Sequence, residues 1–317
     1  MNEKATQLSP GGWTPEAYDA LIELINTHGI NSEGYDPERP PLVALDCDGT
    51  LILNDVGEAL MRFLVNRRQI NGDRRFWQSL VPENLGRDAL AAAFKAVAGR
   101  GDSEVYETAA YRRFRAGIFG AYETLKRTQG LEAAYVFAAR LVRGLHEKTV
   151  AEIADEVVQY ELSRPLSVED IPFGPPFRGL SLNTGIAVFP EMLELIDVLH
   201  LYGFSVWIVS SSVAPAVKAL GRQIDFPEDK ILGIELETMG GRYTEVLEDP
   251  APIGEGKREL FLDTVGRSPV LVIGDSMNDF ELLENCEGLS IVIDRGEEAI
   301  VEKAQEHNWL VQPQFQV

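Results

Sequence analysis

The chain has 317 residues, 45% of them hydrophobic and 25% charged, which is the make-up of a globular protein long enough for a large core plus an insertion. Its net charge of −21 speaks against non-specific binding to nucleic acid or to an anionic membrane, and no apolar run approaches the roughly 18 residues of a membrane span. Two cysteines, Cys47 and Cys286, are too few for a disulfide framework, and the first six residues lack the basic-then-apolar pattern of an export signal, so a cytoplasmic location is expected.

The elements follow in order. Thr14-Pro15-Glu16 predicts a helix start, with Thr as N-cap, Pro at the first helical position and an acid in the first turn. Tyr18, Leu21, Ile22 and Ile25 share one face and Gly29 closes the helix, so residues 1–40 read as a helical extension packed on the core and ending in a polar loop. Leu42-Val43-Ala44-Leu45 is an apolar strand that stops at Asp46-Cys47-Asp48-Gly49-Thr50. Residues 56 to about 165 have helical spacing almost throughout, and little alternates with period two. The block 56–185 is also set apart by charge: it holds 18 Lys/Arg and 16 Asp/Glu, a balance of +2, whereas the rest holds 11 and 34, a balance of −23. An all-helical cap domain is expected there, with the proline- and glycine-rich stretch 165–176 as the linker back to the main body.

From about residue 189, helices alternate with short apolar strands. Helices are expected over 190–203, 215–224, 257–265 and 278–283, and strands over 205–209, 270–273 and 289–293. The β-rich stretches 231–239 and 242–247 flank Gly240-Gly241, a two-residue hairpin signal. The fold class is α/β: a doubly wound parallel sheet, built from 41–55 and 186–317, with helices on both faces. No feature sets an oligomeric state.

Side chains alternate in a strand, so Asp46 and Asp48 would point the same way if the strand continued, and Gly49 permits a sharp turn that exposes both carboxylates at the edge where parallel sheets bind ligands. Two crowded carboxylates repel unless a cation or shared proton relieves them, which suggests a metal-assisted nucleophile beside a proton donor. Three further polar segments fall at strand or helix ends: Ser210-Ser211-Ser212 after Val206–Val209, Lys257 after Gly254-Glu255-Gly256, and Gly274-Asp275-Ser276-Met277-Asn278-Asp279 after Val270–Ile273.

Together these four segments resemble the motifs of the haloacid dehalogenase superfamily, specifically its phosphatases in the phosphoserine phosphatase-like or phosphocholine phosphatase-like branch. The resemblance covers about 40–55 and 186–300, and it implies a Rossmann-like core and a helical cap inserted behind the first motif. It implies Asp46 as a nucleophile that forms an aspartyl-phosphate and Asp48 as the acid that protonates the leaving oxygen and then activates water. Mg2+ would be held by Asp46, Asp275 and the backbone carbonyl of Asp48, with Asp279 as ligand or support. Ser210 and Lys257 would hold phosphoryl oxygens, with Asn278 nearby and Thr50 orienting the first loop. Ser211 or Ser212 could exchange roles with Ser210, and Lys230 or Arg258 with Lys257. Cys47 reads as a small hydrophobe on the sheet's other side.

The expected substrate is a small phosphorylated metabolite. Asp55 lies where phosphoserine phosphatases carry a glutamate near the substrate's amino group; it suits a substrate cation, and equally a helix cap. Phosphoserine would need an arginine, with Arg67, Arg68, Arg112 and Arg113 available, and phosphocholine an aromatic cage drawn from Phe76, Trp77, Tyr106, Tyr111 and Tyr122. Two features depart from the phosphoserine phosphatases: a cap of well over 100 residues, and Ser-Ser-Ser in place of Ser-Gly-Gly. A phosphotransferase with the same intermediate and a non-catalytic phosphate-ligand sensor are the alternatives.

Overall fold

A computed structural model of the protein describes residues 8–171 and 180–317. The chain opens with α1 (Pro15–His28), β1 (Leu42–Leu45) and β2 (Ile52–Leu53). The inserted block follows with α2 (Val56–Arg67), α3 (Arg74–Leu80), α4 (Arg87–Val97), α5 (Asp102–Val105), α6 (Ala109–Gln129), α7 (Leu131–Ala139), α8 (Glu147–Ser163), β3 (Ser167–Ile171) and β4 (Leu180–Thr184). The main body resumes with β5 (Ala187–Val188), α9 (Pro190–Leu201), β6 (Ser205–Val213), α10 (Ala214–Gln223), β7 (Ile231–Ile234), β8 (Leu236–Met239) and β9 (Arg242–Leu247). It ends with α11 (Glu255–Val265), β10 (Leu271–Gly274), α12 (Phe280–Glu284), β11 (Leu289–Asp294), α13 (Glu298–His307) and β12 (Leu310–Pro313).

Six strands pair in parallel in the order β12-β11-β10-β1-β6-β7. β1 lies in the middle, which is why all four of its residues are apolar and buried. Val43 and Leu45, with Ile208, Ile273 and Ile291, face a hydrophobic cluster that takes in Leu21 and Ile25 of α1 and Leu195 and Leu199 of α9. Leu42 and Ala44, with Val209, Val272 and Val292, face a second cluster built on Phe261, Leu282 and Ile300 from α11, α12 and α13. The period-two alternation of buried strands therefore assigns helices to both faces of the sheet. α1 is capped as read, Thr14 Oγ1 accepting the Ala17 N–H at 3.2 Å.

Four readings are corrected. The stretch taken as a linker contains β3, which pairs antiparallel with β4, so the inserted block is not wholly helical; residues 172–176 of that stretch lie outside the described residues. The segment 231–239 divides at Glu235: β7 joins the main sheet, while β8 forms the hairpin with β9 across Gly240 and Gly241, both at positive φ as a two-residue turn requires. β6 continues through the three serines to Val213 instead of ending at Val209. Last, β12 completes the sheet edge where no strand was read; its four residues give too short a pattern to separate from a loop.

The inserted block is tied to the β8–β9 hairpin by backbone hydrogen bonds. Gly144 N–H donates to Tyr243 O (2.8 Å), Tyr243 N–H to Leu145 O (3.0 Å) and Glu147 N–H to Gly241 O (3.0 Å). Arg143, nearly buried, adds ion pairs to Asp73 and Glu245, each at 3.0 Å.

Candidate active site

The first loop starts where β1 stops. Asp46 N–H still donates to Ile273 O of β10 (2.9 Å), and then Leu51 and Ile52 N–H both turn back onto Cys47 O (2.8 and 3.1 Å). Gly49 sits at φ +94°, a conformation that demands glycine, and the guanidinium of Arg295 lies over it where a Cβ would be. Cys47 is fully buried in the larger cluster, where burial pushes its thiol up. Thr50 is also fully buried, its hydroxyl finds no hydrogen-bond partner among the described residues, and it does not line the cavity described below.

Five charged side chains meet around that loop. Lys257, in the first turn of α11, is 1% exposed, and its Nζ donates to Asp46 Oδ1 and Asp279 Oδ1, both at 2.6 Å. Asp279 Oδ2 accepts the N–H groups of Asp275 and Ser276, both at 3.2 Å, which fixes the turn after β10. Asp275 Oδ2 pairs with Arg295 Nη1 at 2.5 Å. The second oxygen of the nucleophile candidate, Asp46 Oδ2, is buried without a hydrogen-bond partner among the described residues. Carboxylate oxygens of Asp46, Asp275 and Asp279 come within 4.8 Å of one another.

The electrostatics follow from this crowding. Burial, then the Asp279 charge, pushes Asp46 up to about 7, against the opposing pull of Lys257. Asp275 is raised well above the usual carboxylate range by burial and by Asp46 and Asp279. Burial would lower Lys257, but Asp279 and Asp46 outweigh it and hold the ammonium above the usual lysine range. The carboxylates of Asp46, Asp48, Asp275 and Asp279 face only Lys257 and Arg295, so the group is short of positive charge. The clustered carboxylates of Asp46, Asp275 and Asp279 supply hard oxygen donors, which fit a divalent cation of the Mg2+ type.

The serines divide by strand alternation. Ser210 and Ser212 donate to Asp48 Oδ2 (3.1 and 2.7 Å), while Asp48 Oδ1 accepts Val56 N–H (2.8 Å) from the start of α2. Ser211, on the opposite side, donates to Pro252 O (2.6 Å) and accepts from Asn278 Nδ2 (2.5 Å). Asn278 Oδ1 in turn accepts Gly254 N–H (2.8 Å), so it fastens the loop before Lys257 to β6. Burial raises Asp48 while these hydrogen bonds to its carboxylate work against it. Asp55 is the N-cap of α2, its Oδ1 accepting Glu58 N–H at 2.7 Å. Burial, then the neighbouring Asp48 and Glu58, raises it well above the usual range.

A cavity of about 390 Å³ opens over these groups. Of the residues singled out from sequence, Asp46, Asp48, Asp55, Ser211, Asp275 and Asn278 line it, whereas Thr50, Ser210, Lys257 and Asp279 do not. Ser211 and Ser212, the two residues read as able to exchange roles with Ser210, line the wall where Ser210 does not, and Lys257 reaches the site only through Asp46. The compact three-carboxylate cluster leaves out the side chain of Asp48. The aromatics offered as a cage do not line the cavity; Phe76 and Trp77 pack edge to face inside the inserted block. Arg67 and Arg68 are paired with Asp102 instead.

The lining residues not anticipated include Glu58, Arg62, Lys126, Tyr135 and Arg295. Glu58 and Arg62 were legible, since they follow Asp55 on the same face of α2. Arg295 was legible too, because it directly follows β11 at the sheet edge that carries Asp46.

Residues 131–284 match the haloacid dehalogenase-like hydrolase family, a span that contains Ser210, Lys257 and Asp275 but begins after Asp46. No curated protein matches the chain. Among solved structures it is similar to a conserved, functionally unknown protein from Anaerococcus prevotii DSM 20548, with 22% identity, TM-score 0.83 and coverage of 96% of this chain and 94% of that one. A protein of unknown function from Bordetella pertussis Tohama I gives 19% identity and TM-score 0.56, covering 86% and 98%. A HAD family hydrolase from Salmonella enterica subsp. enterica serovar Typhi is a looser likeness, at 14% identity and TM-score 0.45, covering 92% and 75%. The first two share the fold.

Proposed function

From the premise that this chain belongs to the haloacid dehalogenase superfamily, we propose that it is a Mg2+-dependent phosphomonoesterase acting on a small phosphorylated metabolite through an aspartyl-phosphate. The observation that carries this reading is the asymmetry of Asp46: Oδ1 is held by Lys257, while Oδ2 is bare and belongs to a residue of the cavity wall. A carboxylate so fixed presents one lone-pair-bearing oxygen to phosphorus.

In the first half-reaction Asp46 Oδ2 bonds to phosphorus as the ester P–O bond breaks, and Asp48 gives its proton to the leaving oxygen. In the second, Asp48 takes a proton from water, the water oxygen bonds to phosphorus, and the Asp46–phosphorus bond breaks to restore the carboxylate. Ser210, Ser212 and the Val56 amide hold Asp48 in one orientation for both transfers. Asp46, Asp275 and the Asp48 carbonyl would hold Mg2+, with Asp279 supporting; the ion supplies charge neutralisation between the anionic nucleophile and the anionic phosphate. The cap contributes Lys126 and Tyr135 to the cavity and limits access of water.

Substrates bearing an amine or quaternary ammonium, phosphoserine-like or phosphocholine-like, fit the charge balance of the wall. Arg62 is neutralised by Glu161 at 2.6 Å and Lys126 lies 3.7 Å from Glu58, whereas Asp55 has no ion-pair partner among the described residues. The test is hydrolysis of an aryl phosphate with Mg2+ and with EDTA, followed by a rate-constant ranking over phosphoserine, phosphocholine and sugar phosphates. Metal-dependent turnover with the cationic esters on top is the expected outcome. No turnover with Mg2+ would refute the enzyme reading, and cationic esters at the bottom would refute the substrate class.

A further inference from the structure

The side chain of Arg295 is bound to the oxygens that the proposed function assigns to Mg2+. Its Nη1 lies 2.5 Å from Asp275 Oδ2 and 3.4 Å from the carbonyl oxygen of Asp48, two of the three groups offered as direct ligands. The guanidinium reaches them over Gly49, whose missing Cβ is the space it passes through: a Cβ there would sit 1.8 Å from Nη1 and 2.6 Å from Asp275 Oδ2. No other cation among the described residues pairs with Asp275, since Lys257 is committed to Asp46 and Asp279. Arg295 also lines the cavity, with its side chain 38% exposed, so it has solvent to move into.

Resting on the metal-dependent reading above, we propose that Arg295 is an exchangeable counter-ion: it neutralises Asp275 and the Asp48 carbonyl in the metal-free protein, and the divalent ion displaces it into the cavity. The physical basis is competition. An N–H donor and a metal ion use the same lone pairs, and a cation of fixed charge at contact distance repels a doubly charged ion. A guanidinium cannot lose its proton to make way, so it must move. Holding Asp275 with a mobile arginine keeps the acidic cluster folded without metal while lowering its affinity for the ion. Once released, the guanidinium faces the cavity in which the substrate phosphate would lie.

The experiment is isothermal titration of Mn2+ into the metal-stripped full-length protein, wild type against Arg295→Gln and Arg295→Lys, without substrate. Arg295→Gln is expected to bind Mn2+ about tenfold more tightly, on Coulomb's law in a water-like dielectric, and Arg295→Lys to stay near the wild type. In parallel, the guanidinium N–H signals of Arg295 are followed in 15N-arginine-labelled wild type during a Mg2+ titration, assigned by their loss in Arg295→Gln. They are expected to be slowly exchanging without Mg2+ and to collapse into the solvent-exposed set as the ion saturates. Equal or weaker Mn2+ binding by Arg295→Gln, or an Arg295 signal unmoved at saturating Mg2+, overturns the exchange while leaving the metal site standing. Absence of Mn2+ binding in every protein overturns both.

Discussion

Replacing Lys257 with methionine removes one charge from the most crowded point of the molecule. The ammonium is 1% exposed and sits 2.6 Å from both Asp46 and Asp279, so the variant leaves two buried carboxylates without their cation. Breaking a buried ion pair from one side costs about 3–5 kcal/mol, because the remaining charge keeps its desolvation penalty. For a chain of this size that corresponds to a fall of about 5–8 °C in Tm. The pH dependence gives the mechanism away. Asp46 is pushed up to about 7, so at pH 5 it carries a proton and needs Lys257 less, whereas at pH 8 it is charged. The loss should be largest at pH 8, smaller at pH 5, and reduced at pH 8 by Mg2+, which restores positive charge to the cluster. The assay is urea unfolding of wild type and Lys257→Met with EDTA at both pH values, then at pH 8 with Mg2+. Equal stability of the two proteins at pH 8 would show that the lysine is not compensating those carboxylates.

Three other outcomes follow from the same geometry. In EDTA the wild type should lose stability as pH rises from about 4 toward 7, because an acid whose folded value is raised from 3.8 to about 7 holds its proton more tightly folded than unfolded; a urea midpoint that instead rises over this window contradicts the assignment. Asp55→Asn should lower kcat/KM for phosphoserine-like or phosphocholine-like esters by about tenfold, the worth of one ion pair in a wet cavity, and leave an aryl phosphate within about twofold. Because Asp55 also caps α2 through Oδ1, the amide keeps that hydrogen bond and Tm should fall by only a few degrees. Asp48→Asn should keep Mn2+ affinity, which draws on the Asp48 carbonyl, while slowing hydrolysis by about a hundredfold or more; the calorimeter and the rate separate the two functions of this residue.

Much of this was legible in the sequence, and the residues show why. A four-residue apolar strand ending in Asp-Cys-Asp-Gly carries its own geometry, since the strand fixes the side-chain direction and Gly49 the turn; Asp46 and Asp48 both line the cavity. The serines were placed at the right strand end with their roles open to exchange, because only the continuation of β6 to Val213 shows that alternation turns Ser210 and Ser212 to Asp48 and Ser211 toward Asn278. Lys257 was found by its position at a helix start, yet nothing local says that its ammonium would be spent on two aspartates rather than left open to the cavity. Tyr135 and Lys126 could not be read at all: their presence at the wall depends on how α6 and α7 pack above the sheet, which no local pattern encodes. Pairing of β3 with β4 was hidden by prolines and glycines that resemble a linker.

The role of Asp46 as nucleophile is tested by trapping its phosphoryl adduct. An aryl phosphate is mixed with the enzyme and Mg2+, quenched with acid within one turnover, and the chain is mapped for a phosphoryl adduct by mass spectrometry. A single adduct on Asp46, absent from Asp46→Asn, is the predicted result. No adduct at any quench time, with inversion rather than retention of configuration at phosphorus in a chirally labelled ester, would contradict it by showing direct attack of water.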